Sequence, residues 1–229
     1  MCRIVGFISL GPVKTTPYVQ ALKYQAEHGI LGPQRAGWGF CVYTEDGCSV
    51  KKSIKVAFED DYTGPQAALT ALFHARGTDA STVVTVPNTH PFVFQNNGKF
   101  WSFVHNGTIS KIPVAWGKEM DSKVYANLIE EQMKQGLSPA EALRSAIQMI
   151  QDQADHTSIN ALLATDDELL VVRPCLAKVT LFYHSSPTLF EVSTEPLAIP
   201  WEEVPVGTMF DVHRVADGLN VQTIPLQIC

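Results

Sequence analysis

The chain opens Met1-Cys2-Arg3-Ile4-Val5-Gly6-Phe7-Ile8-Ser9. The apolar, β-branched run behind Cys2 predicts a buried strand from Cys2 to Ser9, which would tie a normally frayed terminus into a sheet. Removal of the initiator methionine would leave Cys2 with a thiol and an α-amine on one carbon. That amine titrates near pH ~8, so at neutral pH a fraction is uncharged and takes the thiol proton directly or through one water. One residue would then supply both nucleophile and general base. The same two residues also read as an ordinary terminal thiol, and only the rest of the chain decides between the two.

Working outward, Thr16-Pro17 offers a cap and a proline at the first helical position of a helix with Tyr18, Ala21, Leu22 and Gln25 on one face, stopped by Gly29. Gly37–Tyr43 reads as a strand, and Asp46-Gly47 turns it into a second strand over 49–56. Residues 65–76 stay open between helix and central strand, because periodicity does not separate the two in so short a run. A loop follows through Asn88-Thr89-His90-Pro91-Phe92, then a strand over 100–104 ended by His105-Asn106-Gly107. Two helices come next. One starts near Asp121 and runs to Gly136; the other has Ser138 as cap, Pro139 in its first turn and Glu141 completing a capping box. From Ile159 onward every signal is strand: 161–165, 169–173, 179–184, 189–193, 209–213 and 221–226. Strands, two adjacent helices, then strands again imply an α+β domain of layered sheets, with no linker or repeat to divide residues 1–229.

At 229 residues with 45% apolar and 17% charged content, the chain is globular and long enough to bury a full core. Seventeen basic against 23 acidic residues give a net charge of −6, without a Lys/Arg cluster, which argues against nucleic acid as a partner. The cysteines number five and show no paired spacing, so neither a disulfide framework nor a zinc site is indicated and a cytoplasmic setting is expected. The histidines form no His-x-x-x-His pair, and no metal or cofactor is expected. No apolar run is long enough to cross a bilayer. The stretch from Ile4 to Leu10 has the length of a minimal signal-peptide core, but no small-residue cleavage site follows before Pro12.

Three short motifs carry chemistry. His105-Asn106-Gly107 reads as a hairpin turn after an apolar strand, or as an oxyanion hole in which the Asn106 amide and the Gly107 N–H face a developing negative charge. Arg76, in His74-Ala75-Arg76, is either a solvated surface residue or a bidentate clamp for a carboxylate. Asp121, at a helix start, is a cap or the partner of an ammonium group.

Taken in order, an N-terminal Cys, His-x-Arg, Asn-x-His-Pro-Phe, His-Asn-Gly and Asp-Ser-x-Val at a helix start resemble the class II glutamine amidotransferases, members of the N-terminal-nucleophile hydrolases. The likeness extends to Gly37-Trp38-Gly39 and to Ser193-Thr194-Glu195-Pro196-Leu197, so it covers essentially the whole chain. The resemblance implies a four-layer αββα sandwich, two mainly antiparallel sheets between helices. It implies Cys2 as nucleophile on the side-chain amide of glutamine, Asn106 and Gly107 as oxyanion hole, Arg76 on the α-carboxylate and Asp121 on the α-ammonium, with His90 lining the pocket. A γ-glutamyl thioester would form, ammonia would leave and water would release glutamate.

Where relatives carry Ala-Thr after Arg-x, this chain has Thr78-Asp79. Asp79 would set a negative charge near the substrate carboxylate, and Thr78 would take over the family threonine's contact. Two further readings follow: hydrolysis of a γ-glutamyl or other small amide, or a non-catalytic binding or partner subunit of the same fold. With no synthase portion after the glutaminase segment, the expected partners are a small-molecule substrate and a separate ammonia-using synthase subunit.

Overall fold

The computed structural model describes residues 2–30, 32–62, 66–77, 83–174, 179–198 and 200–226. In chain order its elements are β1 (Arg3–Lys14), α1 (Thr16–His28), β2 (Trp38–Thr44), β3 (Gly47–Ser53), β4 (Ala67–Ala75), β5 (Phe92–Asn96), β6 (Lys99–Ser110), α2 (Asp121–Lys134), α3 (Pro139–Gln153), β7 (Asp155–Ala164), β8 (Glu168–Arg173), β9 (Phe182–Ser185), β10 (Leu189–Ser193), β11 (Glu202–Glu203), β12 (Thr208–Val215) and β13 (Gly218–Pro225).

The strands form two antiparallel sheets. One has seven strands in the order β11-β9-β10-β1-β4-β2-β3, the other six in the order β13-β12-β8-β7-β6-β5. Three buried clusters show how they stack. Val5, Phe7, Phe40 and Phe73 pack with Tyr18, Val19 and Leu22 of α1 on the outside of the seven-stranded sheet. Ile4, Ile8, Leu72, Val104, Leu162 and Val171 fill the space between the sheets. Phe103, Leu163, Leu170 and Met209 pack with Tyr125, Ile129, Leu143 and Ile147 of α2 and α3. The layers are therefore helix, sheet, sheet, helices, the four-layer αββα sandwich that the resemblance implied.

The period-2 alternation of side chains decides what each strand contributes. In β1, Ile4 and Ile8 face the second sheet while Val5 and Phe7 face α1. Gly6 shares the inner face, where an added Cβ would lie 2.9 Å from Leu162 Cδ1 and 3.0 Å from Leu72 Cδ2, so the two sheets meet closely over the first strand. Within the undecided segment 65–76, residues Ala67–Ala75 are strand β4. β4 lies between β1 and β2, with Ile4 opposite His74 and Gly39 opposite the same histidine. Its alanines favour a helix locally, but two flanking strands satisfy its backbone.

His105-Asn106-Gly107 is not a turn: β6 runs through it to Ser110, paired with β7 along the way. The hairpin turn lies upstream at Asn97-Gly98, with φ of 50° and 76°, joining β6 to β5, which starts at Phe92, the last residue of the expected loop. The start of α1 is displaced by one residue from the expected Thr16 cap, with Thr15 at the N-cap position and Thr16 already helical. Ser138 and Glu141 form the capping box, and α2 starts at Asp121.

Candidate active site

Cys2 stands just ahead of β1, and the alternation that turns Ile4 inward turns Cys2 inward as well. Ser102, Val104 and Asn106 of β6 face the opposite way to Phe103 and His105, toward the first sheet. Cys2 and Asn106 thus meet between the sheets. The Cys2 backbone N–H donates to Asn106 Oδ1 at 3.0 Å, and Asn106 Nδ2 donates to the Cys2 carbonyl at 3.0 Å. This reciprocal clasp leaves one Asn106 amide hydrogen uncommitted. The Gly77 N–H approaches Cys2 Sγ at 3.4 Å; sequence reasoning did not single out Gly77, because a lone glycine past a strand end carries no signal.

Cys2 is 8% exposed. Burial pushes its thiol above the ordinary range; the Gly77 contact and the Arg76 charge pull it back, and the Asp121 charge adds to the rise. A thiol in this setting stays protonated at neutral pH and needs a base to attack. Arg76 continues beyond β4 and is 7% exposed. Its backbone is fixed to the β2 entry through Arg76 N to Gly37 O at 2.9 Å and Ala36 N to Arg76 O at 3.1 Å. Its Nη1 is buried and has no hydrogen-bond partner among the described residues. An unclaimed buried guanidinium donor costs free energy unless something anionic takes it.

Asp121 is the first residue of α2. Its carboxylate accepts from Ile109 N at 2.9 Å and from Ser122 N at 2.7 Å, so it acts as a clamp between strand end and helix start, favoured there by the helix dipole. Gly107 is required by its neighbour: an added Cβ would sit 1.7 Å from Ser158 O on β7.

His90 lies in a buried histidine stack. Its ring lies 3.9 Å from that of His74 and 4.7 Å from that of Phe92, and neither of its nitrogens has a partner among the described residues. His74 Nε2 faces the His105 carbonyl at 3.3 Å, and His105 bonds Ser122 Oγ at 2.8 Å. Burial holds all three rings below their ordinary range, His74 down to about 3. No polar contact joins His90 to Cys2. Thr78 and Asp79 lie outside the described residues.

Behind Cys2, Arg3 faces α1 and is fully buried. Its Nε donates to Gln25 O at 3.2 Å and pairs with Glu195 at 3.1 Å, while Nη1 reaches the Cys2 carbonyl at 3.4 Å. Thr194 Oγ1 accepts from Ile4 N at 2.9 Å. The late Ser193–Leu197 segment therefore staples the first strand, a role visible only once β10 is seen beside β1.

Elsewhere among the described residues, Glu168, Asp211 and His213 bring ligand-type atoms within 4.8 Å of one another. They share the sheet face of Leu170 and Met209 that packs on α2 and α3, not the inter-sheet face of Cys2, and Asp211 already pairs with His213 at 2.8 Å.

Two antiparallel sheets between helix layers, with a cysteine at the head of the first strand, define the N-terminal-nucleophile hydrolase fold. The glutamine phosphoribosylpyrophosphate amidotransferase of B. subtilis superposes with a TM-score of 0.72 at 15% identity, over 100% of this chain and 50% of that one. A class II glutamine aminotransferase domain protein from Silicibacter pomeroyi does so with a TM-score of 0.63 at 18% identity, over 96% of this chain and 98% of that one. In sequence, residues 1–188 match the family model described as class II glutamine amidotransferases. The chain belongs to that family of enzymes. The glutamine–fructose-6-phosphate aminotransferase (isomerizing) of Bacillus thuringiensis subsp. konkukian is 29% identical over 161 residues, 66% of this chain and 25% of that protein. The chain therefore spans about a quarter of that relative. No helix among the described residues is long and apolar enough to cross a membrane.

Proposed function

We propose that residues 1–229 form one glutaminase domain that hydrolyses the side-chain amide of glutamine through Cys2 and releases ammonia for an acceptor. The observation that carries the reading is the buried Arg76 guanidinium donor, unclaimed among the described residues, beside an inward-facing Cys2 thiol. An α-carboxylate supplies the missing acceptor, and an amino acid held there extends its side-chain amide toward the sulfur.

With Met1 removed, the Cys2 α-amine takes the thiol proton as Sγ attacks the amide carbon. The free hydrogen of the Asn106 amide and the Gly107 N–H stabilise the oxyanion. The amine returns the proton to the leaving nitrogen, ammonia departs, and a γ-glutamyl thioester remains. Water, deprotonated by the same amine, opens the thioester to glutamate. Asp121 and Arg76 hold the ammonium and carboxylate ends, with His90 at the pocket wall. A raised thiol pKa agrees with this scheme, since the nucleophile then depends on a neighbouring base rather than on pre-ionisation.

The test is glutamate release by preparations sorted by intact mass. Protein with Cys2 exposed should turn over glutamine, and protein retaining Met1 should not, because a peptide nitrogen has no useful basicity. Cys2→Ser should be inactive. Asn106→Asp, which keeps the acceptor for the Cys2 N–H but loses the donor, should fall by ~100-fold or more. Equal turnover with and without Met1 would remove the terminal amine from the mechanism. Equal turnover of glutamine and an analogue lacking the α-carboxylate would remove Arg76 from recognition.

A further inference from the structure

Cys41 and Cys48 have no motif spacing, yet the β2–β3 hairpin brings them together. Cys41 lies opposite Val50, and Cys48 opposite Tyr43, so all four side chains share one face and the two cysteines are diagonal neighbours. Their sulfurs are 3.2 Å apart, and a bonded pair sits at ~2.05 Å. The needed approach is roughly 1 Å, and β3 can supply it, being the outermost strand of its sheet and paired only with β2. Cys41 is fully buried in the inter-sheet core, whereas Cys48 is exposed. A hollow of about 250 Å³, lined among others by Tyr43, Glu45, Cys48, Lys99 and Phe100, opens beside Cys48.

We propose that Cys41 and Cys48 are a redox modification site, closed by peroxide into a disulfide that locks the edge strand to its neighbour. The two thiols are unequal in the way the step needs. The hydrogen bond from Cys41 holds the Cys48 thiol below the ordinary range. The same contact, together with burial, holds Cys41 far above it. Cys48 thiolate attacks one peroxide oxygen, breaking the O–O bond and releasing hydroxide, which is protonated to water; a sulfenic acid remains. The Cys41 sulfur then attacks the Cys48 sulfur, the S–O bond breaks, and the sulfenic oxygen leaves as a second water carrying the Cys41 proton. The two sulfurs together lose two electrons, and peroxide gains them.

Both cysteines fall in one tryptic peptide, residues 36–51, which makes the test direct. The full chain and its Cys2→Ser variant are treated with hydrogen peroxide, alkylated, digested and read by mass. The expected peptide is lighter than the dithiol form by two hydrogens, takes no alkyl group, and regains two after dithiothreitol. Amide hydrogen exchange over 47–53 should slow on oxidation and recover on reduction. In Cys48→Ser, Cys41 should remain alkylatable once the protein is unfolded. The proposal is overturned if the peptide stays fully alkylatable, if Cys48 advances to sulfinic acid with Cys41 still a thiol, or if it links two chains. Using the Cys2→Ser protein keeps this outcome independent of glutamine turnover.

Discussion

At the scale of single residues, the interior holds polar groups whose environments set their charge. Glu168 is the clearest. Burial, and then the neighbouring Asp211 carboxylate, push it from 4.5 up to about 7. The folded protein then binds the proton more tightly than the unfolded chain, so this residue's contribution is full below about pH 4.5, is lost as pH rises toward about 7, and is constant above that. Glu168→Gln, which cannot ionise, should match the parent near pH 4.5 and exceed its stability at pH 8 by on the order of 2 kcal/mol. Urea unfolding at both pH values measures it, and an offset independent of pH would show that Glu168 ionises freely in the fold. The histidine stack runs the other way. Rings held neutral by burial cost stability as pH falls below ~6.5, where the unfolded histidines take up protons.

At the scale of elements, most starts and stops are local chemistry. The Ser138–Glu141 capping box is in place and Pro17 sits in the first turn of α1, while the β2–β3 hairpin turns one residue early, at Glu45-Asp46, with Gly47 already paired to Thr44. The failure at His105-Asn106-Gly107 has a physical cause. Asn-Gly favours a tight turn only when no partner strand claims its backbone, and β7 claims it here. The glycine serves close approach instead. Gly107→Ala would set a Cβ 1.7 Å from Ser158 O, so β6 must part from β7. A loss of ~3 kcal/mol or more is expected, with a lowered urea midpoint and no glutamate release. A variant as stable as the parent would mean that the ladder yields at that point without cost. The turn chemistry that did apply, Asn97-Gly98, was present in the sequence between the apolar alternation of β5 and the Phe100 strand.

At the scale of the whole molecule, the space between the sheets joins everything else. Leu162, beneath Gly6, belongs to that layer and is fully buried. Leu162→Ala should cost about 2–5 kcal/mol and leave unfolding a single transition, with tryptophan fluorescence and far-ultraviolet circular dichroism coincident. Separated transitions would show that the sheets hold together independently of this contact.

Much of this was readable in the residues alone. The apolar run behind Cys2, the two capped helices and the late strands specified an α+β layered domain, because period and capping are local properties of a chain. The ordered motifs pointed to Cys2, Asn106, Arg76 and Asp121 as one set. Tertiary structure decided the rest, since each remaining question depended on a neighbour distant in sequence. Whether 67–75 was helix or strand was settled by β1 and β2 on either side of it. The inward turn of Asn106 follows from the reach of β6 beyond the apparent turn. The clasp between Asn106 and Cys2 spans 104 residues, the Arg3–Glu195 pair beside Cys2 joins distant parts of the chain, and the meeting of Cys41 with Cys48 needs the register of a hairpin. Local sequence encodes conformation, but pairing between distant strands chooses which side chains face one another.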